Sequence, residues 1–308
     1  MSVCRIFPLS FSLAFLVAAP SHAVDYQQGY LVDKVLLPTT ASQSASYAID
    51  IDGDGFVENV FGQLLAALTS QGLNLTGTTD AAVANGSIVH LLSLHSADPL
   101  FQSDPAAQAD WYVGLPALSP PLFDGTDNLA HDGSIAPGIF LAALSNGSFA
   151  SPSPATMTSP VSLTIELSSG PGKIKMPVQR ARLSFSLDGG GHMQGQLNGA
   201  ILNNDFVVLI PLWLSGMCNA YIQSDPTSDN ANTCKSAFDD GCSGNAGSAG
   251  DGMIEVCEVA ENPAIGTLTA PDIQIPNASS GYDLANSLGL RFTAIASPDR
   301  VFADGFDP

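Results

Sequence analysis

The sequence predicts a mainly β fold of the α+β class, with an antiparallel, sandwich-like core of hairpins, a few short helices and a disulfide-stapled loop region. Apolar and polar residues alternate at 161–167 and again at 181–187, as in strands with one buried face. Aspartate outnumbers glutamate 24 to 5 and lysine occurs only four times, whereas exposed helices favour Glu and Lys. Four cysteines fall in a stretch rich in Asp, Asn, Ser and Gly, where disulfides would substitute for a core.

The first half of the chain is expected to combine strands with one helix. The helix is predicted between Asn59 and Gln71, and Gly72 suits its C-terminal end. Its apolar residues fall on one stripe, formed by Val60, Phe61, Leu64, Leu65 and Leu68. The strands are predicted at 30–38, 46–51, 87–94 and 111–115.

The second half is expected to contain a meander of hairpins, whose layers would close the sandwich core. Residues 203–214 are mostly apolar, and their periodicity does not decide between a buried helix and a buried strand. The predicted strands are 161–167, 173–178, 181–187, 193–197 and 290–296, with turns at 169–172 and 188–191.

Residues 1–23 are predicted to be a cleavable signal peptide, with Arg5 at its start, an apolar run and a small-residue cleavage site ending at Ala23. No later segment is predicted to span a membrane. Without the signal the chain carries 29 acidic and 8 basic side chains, a net charge of −21. Such a charge argues against nucleic acid and anionic lipid as partners. A secreted, periplasmic or cell-surface location is expected, with an envelope or extracellular protein or polysaccharide as the partner.

The cysteines of the exported chain are expected to form two disulfides, because four clustered thiols in an oxidising compartment pair readily. Neighbours in sequence close the shortest loops, which favours Cys218–Cys234 and Cys242–Cys257. A zinc site is the weaker alternative, since the cluster contains no C-x-x-C pair.

Residues 50–59 read DIDGDGFVEN, which is the first half of a calcium-binding loop of the EF-hand type. The predicted ligands are oxygens of Asp50, Asp52, Asp54, Phe56 (through its carbonyl) and Glu58. The twelfth position of the loop holds Phe61 in place of a bidentate carboxylate, so we expect weak binding. The alternative is an Asp/Gly turn that caps a helix and binds no ion.

A second and weaker calcium loop is predicted within the cysteine-rich segment. Its candidate ligands are Asp251, Met253 (through its carbonyl), Glu255 and Glu258. The first two ligand positions of this loop would be Gly247 and Ala249, which carry no ligating side chain. Asp239 or Asp240 could supply a carboxylate in their place, and the alternative is a disulfide-stapled loop that binds nothing.

Composition divides the chain into segments, of which 24–298 would form one or two compact domains. After the signal peptide at 1–23, these are a strand, calcium-loop and helix region at 24–115, a β-meander at 116–215, a cysteine-rich loop at 216–262, a strand region at 263–298 and a tail at 299–308.

No catalytic motif is present: the sequence contains no G-x-S-x-G, no H-E-x-x-H and no P-loop. A hydrolase of polysaccharide or ester, stabilised by calcium, therefore stands as the alternative function. A carbohydrate-binding module is a third possibility, which would need exposed aromatic residues. Only Trp111 and Trp213 are present as tryptophans, and both lie in apolar runs.

Four segments and the tail resemble an uncharacterised family of secreted proteins and lipoproteins of proteobacteria, which carry an EF-hand-like or dockerin-like DxDxDG loop. The segments are 47–59, 120–126, 193–201 and 269–295, and the tail at 299–308 resembles a C-terminal "IFxxGFE"-like sequence. The resemblance implies calcium binding and no established activity. The chain departs from the family pattern in its second loop, which lacks ligands. We therefore expect a secreted, calcium-binding structural or interaction protein.

Overall fold

The computed structural model describes residues 26–154, 161–167, 174–243 and 249–297. The predicted signal peptide, the predicted turn at 169–172 and the C-terminal tail lie outside these residues. The described chain is strand-rich and antiparallel, so the predicted fold class is confirmed.

In the described residues, ten strands form a single antiparallel sheet rather than two separate layers. They are β1 (Tyr26–Leu36), β2 (His90–Ser96), β3 (Ser103–Val113), β4 (Gly138–Ser145), β5 (Ser148–Ala150), β6 (Val161–Glu166), β7 (Lys175–Leu187), β8 (His192–Leu202), β9 (Ile273–Asn277) and β10 (Gly281–Ser297). The order is β1-β2-β3-β4-β5-β7-β8-β10-β9, and β6 pairs with β7. Because β1 also pairs with β10, eight of the strands close into a ring.

Seven helices accompany the sheet in the described residues. They are α1 (Ala41–Ser46), α2 (Val60–Ser70), α3 (Leu75–Ala84), α4 (Asn203–Ser224), α5 (Asp229–Phe238), α6 (Val256–Glu261) and α7 (Pro263–Leu268). The α2 helix matches the prediction within one residue at each end. The Asn59 side chain caps its start, and Gly72 follows its end with a positive φ of 102°.

Two predicted strand assignments are wrong. Residues 46–51 do not form a strand, because α1 ends at Ser46 and only a single bridge joins Ile49 to Glu58. The predicted strands at 173–178 and 181–187 are parts of one strand, because β7 includes residues of both. The two predicted hairpins are present, since β7 pairs with β6 and with β8. The register of β7 shifts between Gln179 and Arg182, where Arg180 has a φ of 50°, so a bulge interrupts the alternation without ending the strand.

The core lies inside the ring and is completed by α2 and α4. Phe61 of α2 packs against Phe206 and Trp213 of α4, with ring centroids 6.0 and 6.2 Å apart. Residues 203–214, which the sequence left undecided, therefore belong to a helix with one buried face, whereas Val207, Val208 and Leu212 are exposed. Within the described residues, α4 alone is long and apolar enough to cross a membrane. Half of its most apolar window is buried, and a core helix satisfies the same test.

Candidate metal centre

The predicted calcium loop lies on the outer face of the sheet, over β8, β9 and β10. The Glu58 N–H donates to the Ile49 carbonyl at 3.2 Å, which closes the loop at its base. Ile51 points the other way and is fully buried in a small apolar cluster. Its partners there are Ala200, Ile273, Ile275 and Ala285. Successive side chains thus point in opposite directions. Ile51 anchors the loop in the apolar cluster, and Asp50 and Asp52 lie nearer the surface.

Three of the predicted carboxylates converge. Oxygens of Asp50, Asp52 and Glu58 lie within 4.8 Å of one another. The Asp50 carboxylate accepts the N–H groups of Gly53 at 2.6 Å and Gly55 at 3.1 Å. Both glycines have φ near 90°, which other residues rarely adopt, so they allow the chain to wrap around Asp50.

The other two predicted ligands lie differently. Asp54 is outside the group of converging oxygens and accepts the N–H of Phe56 at 2.8 Å. The Phe56 side chain is 71% exposed and takes no part in the core. Asp52 is held in place by the Gln274 N–H of β9, which donates to its carboxylate at 3.3 Å. The strand β9 therefore positions the central carboxylate of the loop.

Glu58 has an unusual proton affinity. Burial raises its pKa to about 7, a hydrogen bond from the Ile51 N–H opposes that rise, and repulsion from Asp54, Asp52 and Asp50 adds to it. One of its carboxylate oxygens, Oε2, is buried and has no hydrogen-bond partner among the described residues. A cation placed among these carboxylates would relieve the repulsion and satisfy that oxygen. The donor set, oxygen only and anionic, suits a hard cation such as calcium.

The four candidates of the second loop do not converge in this way. Glu258 is buried, and its two carboxylate oxygens accept the N–H groups of Gly241 and Glu255, each at 2.7 Å. Glu255 and Glu258 form the capping box of α6. The Asp251 carboxylate accepts the Met253 N–H at 2.8 Å. These carboxylates already accept hydrogen bonds from backbone N–H groups. Such bonding is expected of the alternative, a disulfide-stapled loop that binds no ion.

Asp239 is the acid that the fold brings to this loop, as the sequence allowed. Its carboxylate accepts the N–H groups of Gly250 and Gly252, at 2.8 and 3.0 Å. Glu255 also approaches the sulfurs of Cys242 and Cys257, at 3.3 and 3.4 Å. These two sulfurs are bonded to each other, so they supply no thiolate to a metal.

Both disulfides have the predicted pairing. Cys218 of α4 pairs with Cys234 of α5, and Cys242 pairs with Cys257 of α6. The first pair is fully buried, whereas Cys242 and Cys257 are closer to the surface. Two disulfides indicate an oxidising, extracytoplasmic location for the folded chain.

Asn59 connects the candidate metal loop to the closed sheet, a role that the sequence analysis missed. Strand β1 pairs with β10 from Arg291 onward and β9 pairs with β10 up to Ala285, so the edge between them has no strand partner in the part of the chain that the structure describes. Asn59 fills this gap: its amide donates to the Gly289 carbonyl at 3.0 Å and accepts the Gly289 N–H at 2.9 Å. The same oxygen accepts the Gly62 N–H at 2.9 Å and caps α2.

Asp272 fills the rest of the gap. Its carboxylate accepts the Ser287 N–H at 2.8 Å and is also bonded to the Ser287 hydroxyl. That hydroxyl accepts the N–H of Val60 at 2.8 Å. The side chains of Asn59 and Asp272 thus replace a missing segment of strand, and Asn59 directly follows Glu58 in the chain. The position of the loop is fixed by this substitute pairing.

A serine, a histidine and an aspartate meet on the outer face of β2 and β3, but not as a catalytic triad. The Ser93 hydroxyl lies 3.0 Å from His95 Nε2, and the Asp110 carboxylate lies 3.6 Å from the same nitrogen. A triad needs the acid and the nucleophile on opposite ring nitrogens. Ser93 is also fully buried, so a substrate would not reach it.

The two tryptophans form no exposed stacking surface, because Trp111 and Trp213 are each only 2% exposed. Comparison with models of known protein families, with curated proteins and with solved structures finds no match to this chain.

Proposed function

We propose that this protein is a secreted calcium-binding structural or interaction module that acts at or outside the cell envelope. The observation that supports the proposal best is the convergence of carboxylate oxygens of Asp50, Asp52 and Glu58 within 4.8 Å of one another. An oxidising location, which the disulfides indicate, is compatible with it, because extracellular fluids supply calcium at the concentrations that weak sites need.

The task of the ion is to fix the loop against the sheet. Three carboxylates drawn together repel one another, and this repulsion opposes the folded loop when no cation is present. Calcium bound by Asp50, Asp52 and Glu58 would cancel the repulsion. Because Asn59 follows Glu58 directly and closes the gap beside β10, a firmer loop holds that closure and the start of α2. The proposed role of the ion is therefore structural and not catalytic: it stabilises the loop, the closure beside β10 and the start of α2.

Calcium should raise the melting temperature of the protein modestly and saturably. A site with Kd on the order of 10⁻⁴–10⁻³ M gains about 1–3 kcal/mol of stability in 10 mM calcium. Thermal unfolding in calcium, in magnesium and in sodium chloride of equal ionic strength measures this. Magnesium should act less, because it gives up its waters reluctantly. An equal rise in all three salts would show general screening of an acidic chain and no specific site.

The calcium effect should grow with pH. Glu58 has a folded-state pKa of about 7, above the ordinary value of 4.5. Without calcium, its contribution to stability is greatest below pH 4.5 and is lost as the pH rises to about 7. Calcium needs the ionised form, so its affinity should rise between pH 5 and pH 7 and then level off.

The pH effect is measured as the calcium-induced change in melting temperature at pH 5.5 and at pH 8. The change should be larger at pH 8 in the wild type. In Glu58→Gln, which has no proton to lose, the calcium response should be smaller and equal at both pH values. A wild-type response that does not change with pH would remove Glu58 from the ligand set.

A further inference from the structure

A polar cleft of about 330 Å³ lies on the outer face of the sheet, where β7, β8 and β10 run side by side. The pairing of the strands arranges its side chains in two rows. Ser184 lies opposite Gln196, which lies opposite Arg291, and Ser186 lies opposite Gln194 in the second row. The cleft thus offers hydroxyl groups, amides and one guanidinium along a nearly flat surface.

Among the described residues, Arg291 is the one charged residue that lines this cleft. Its guanidinium stacks over the Tyr47 ring, 4.6 Å from the centroid, and one N–H donates to the Ser46 carbonyl at 3.1 Å. Within the described part of the chain it has no ion-pair partner, although acidic residues greatly outnumber basic ones. The stacking fixes the guanidinium plane, and the remaining N–H groups match a carboxylate fork.

We propose that this cleft binds an acidic carbohydrate, with a uronate carboxylate on Arg291 and ring hydroxyls on the serines and glutamines. A serine hydroxyl and a glutamine amide each donate and accept, as a sugar hydroxyl does, so neighbouring groups on both sides can pair. The lining contributes no open apolar pocket for a peptide side chain, since Phe185 is only 5% exposed. The chemistry of the cleft therefore favours a sugar acid over a peptide carboxylate.

Part of the cleft is held rigid before any ligand arrives. Gln196 donates to the Tyr47 carbonyl at 2.7 Å, and Tyr47 in turn lies beneath Arg291. On the neighbouring strand, the Asp33 carboxylate accepts the Thr293 hydroxyl at 2.7 Å. Within the described residues, Asp33 forms no ion pair with Arg291. Preorganised polar groups of this kind lower the entropy cost of binding a flexible oligosaccharide.

Calorimetric titration of tri-galacturonate into the full exported chain tests the proposal. The titration is done in EDTA, so that calcium bound by the sugar or by the Asp50 loop takes no part. Wild-type protein should bind the acidic trisaccharide, and its methyl ester, which keeps the sugar hydroxyls and lacks the charge, should bind at least about tenfold more weakly. Absence of binding at millimolar tri-galacturonate, or equal binding of the ester, would overturn the proposal.

Substitutions test whether tri-galacturonate binds in the cleft. Arg291→Gln should weaken tri-galacturonate binding at least about tenfold, and Gln194→Ala, which leaves Arg291 and Tyr47 in place, should weaken it several-fold. Lys235→Gln is the matched control, because Lys235 is a surface cation that also bonds a carbonyl, that of Pro226 at 2.8 Å. It should leave the affinity unchanged. Equal losses in Arg291→Gln and Lys235→Gln would indicate general charge attraction and contradict a site in the cleft.

Discussion

Replacing Asn59 with alanine should lower the free energy of unfolding by about 3–7 kcal/mol, the largest effect expected of any single substitution outside the apolar core. The change removes the cap of α2, which is worth about 1 kcal/mol. It also leaves the N–H and C=O of Gly289 without partners at a buried strand edge, and each such group costs about 1–3 kcal/mol.

Asn74→Ala is the matched control for this experiment. Asn74 caps α3 through the same kind of bond, from Gly77 at 3.0 Å, but it is exposed and fills no gap in the sheet. Its loss should cost only about 1 kcal/mol. Urea unfolding of both variants gives the comparison. If Asn59→Ala costs no more than Asn74→Ala, the gap beside β10 is not held by Asn59.

Removing the buried disulfide should have the second largest effect. The double variant Cys218→Ala/Cys234→Ala should lose about 3–5 kcal/mol, from the freed chain entropy and from the space left between α4 and α5. The Cys242–Cys257 disulfide closes a loop of nearly the same length, with a separation of 15 residues against 16 for Cys218–Cys234. The entropic part of the loss should therefore be the same in Cys242→Ala/Cys257→Ala.

The difference between the two double variants therefore measures packing. Cys218 and Cys234 are fully buried, whereas Cys242 lies nearer the surface, so the first pair should be the more costly to remove. Unfolding of both double variants under non-reducing conditions, monitored by circular dichroism, measures which disulfide is the more costly to remove. A greater loss from Cys242→Ala/Cys257→Ala would contradict the importance assigned to the α4–α5 packing.

Local patterns in the sequence are sufficient to predict features formed by residues that lie close together in the chain. The stripe from Val60 to Leu68 defined α2, and short spacing between cysteines identified both disulfides. The alternation of aspartates identified the loop that brings Asp50, Asp52 and Glu58 together. In each case the interacting groups are close in the chain, so periodicity or spacing carries the information.

Features that depend on distant residues could not be predicted. The closure of the ring pairs β1 with β10, which lie at opposite ends of the described chain, and no local pattern indicates it. The role of Asn59 depends on Gly289, 230 residues away. The candidate ligands of the second loop have a local alternative role, because the Glu255 and Glu258 spacing also fits a capping box, and that bonding occupies Glu258.

Isothermal titration of calcium into the full exported chain tests the central claim most directly. We expect one weak site, with Kd on the order of 10⁻⁴–10⁻³ M, in the wild type and in Asp251→Asn. Asp251 is a suitable control because it is a loop aspartate that bonds a backbone N–H two residues on, as Asp52 does. Asp52→Asn, which removes the same single charge, should show no calcium heat. Unchanged binding in Asp52→Asn, or its loss in Asp251→Asn, would contradict the assignment of the site to the Asp50 loop.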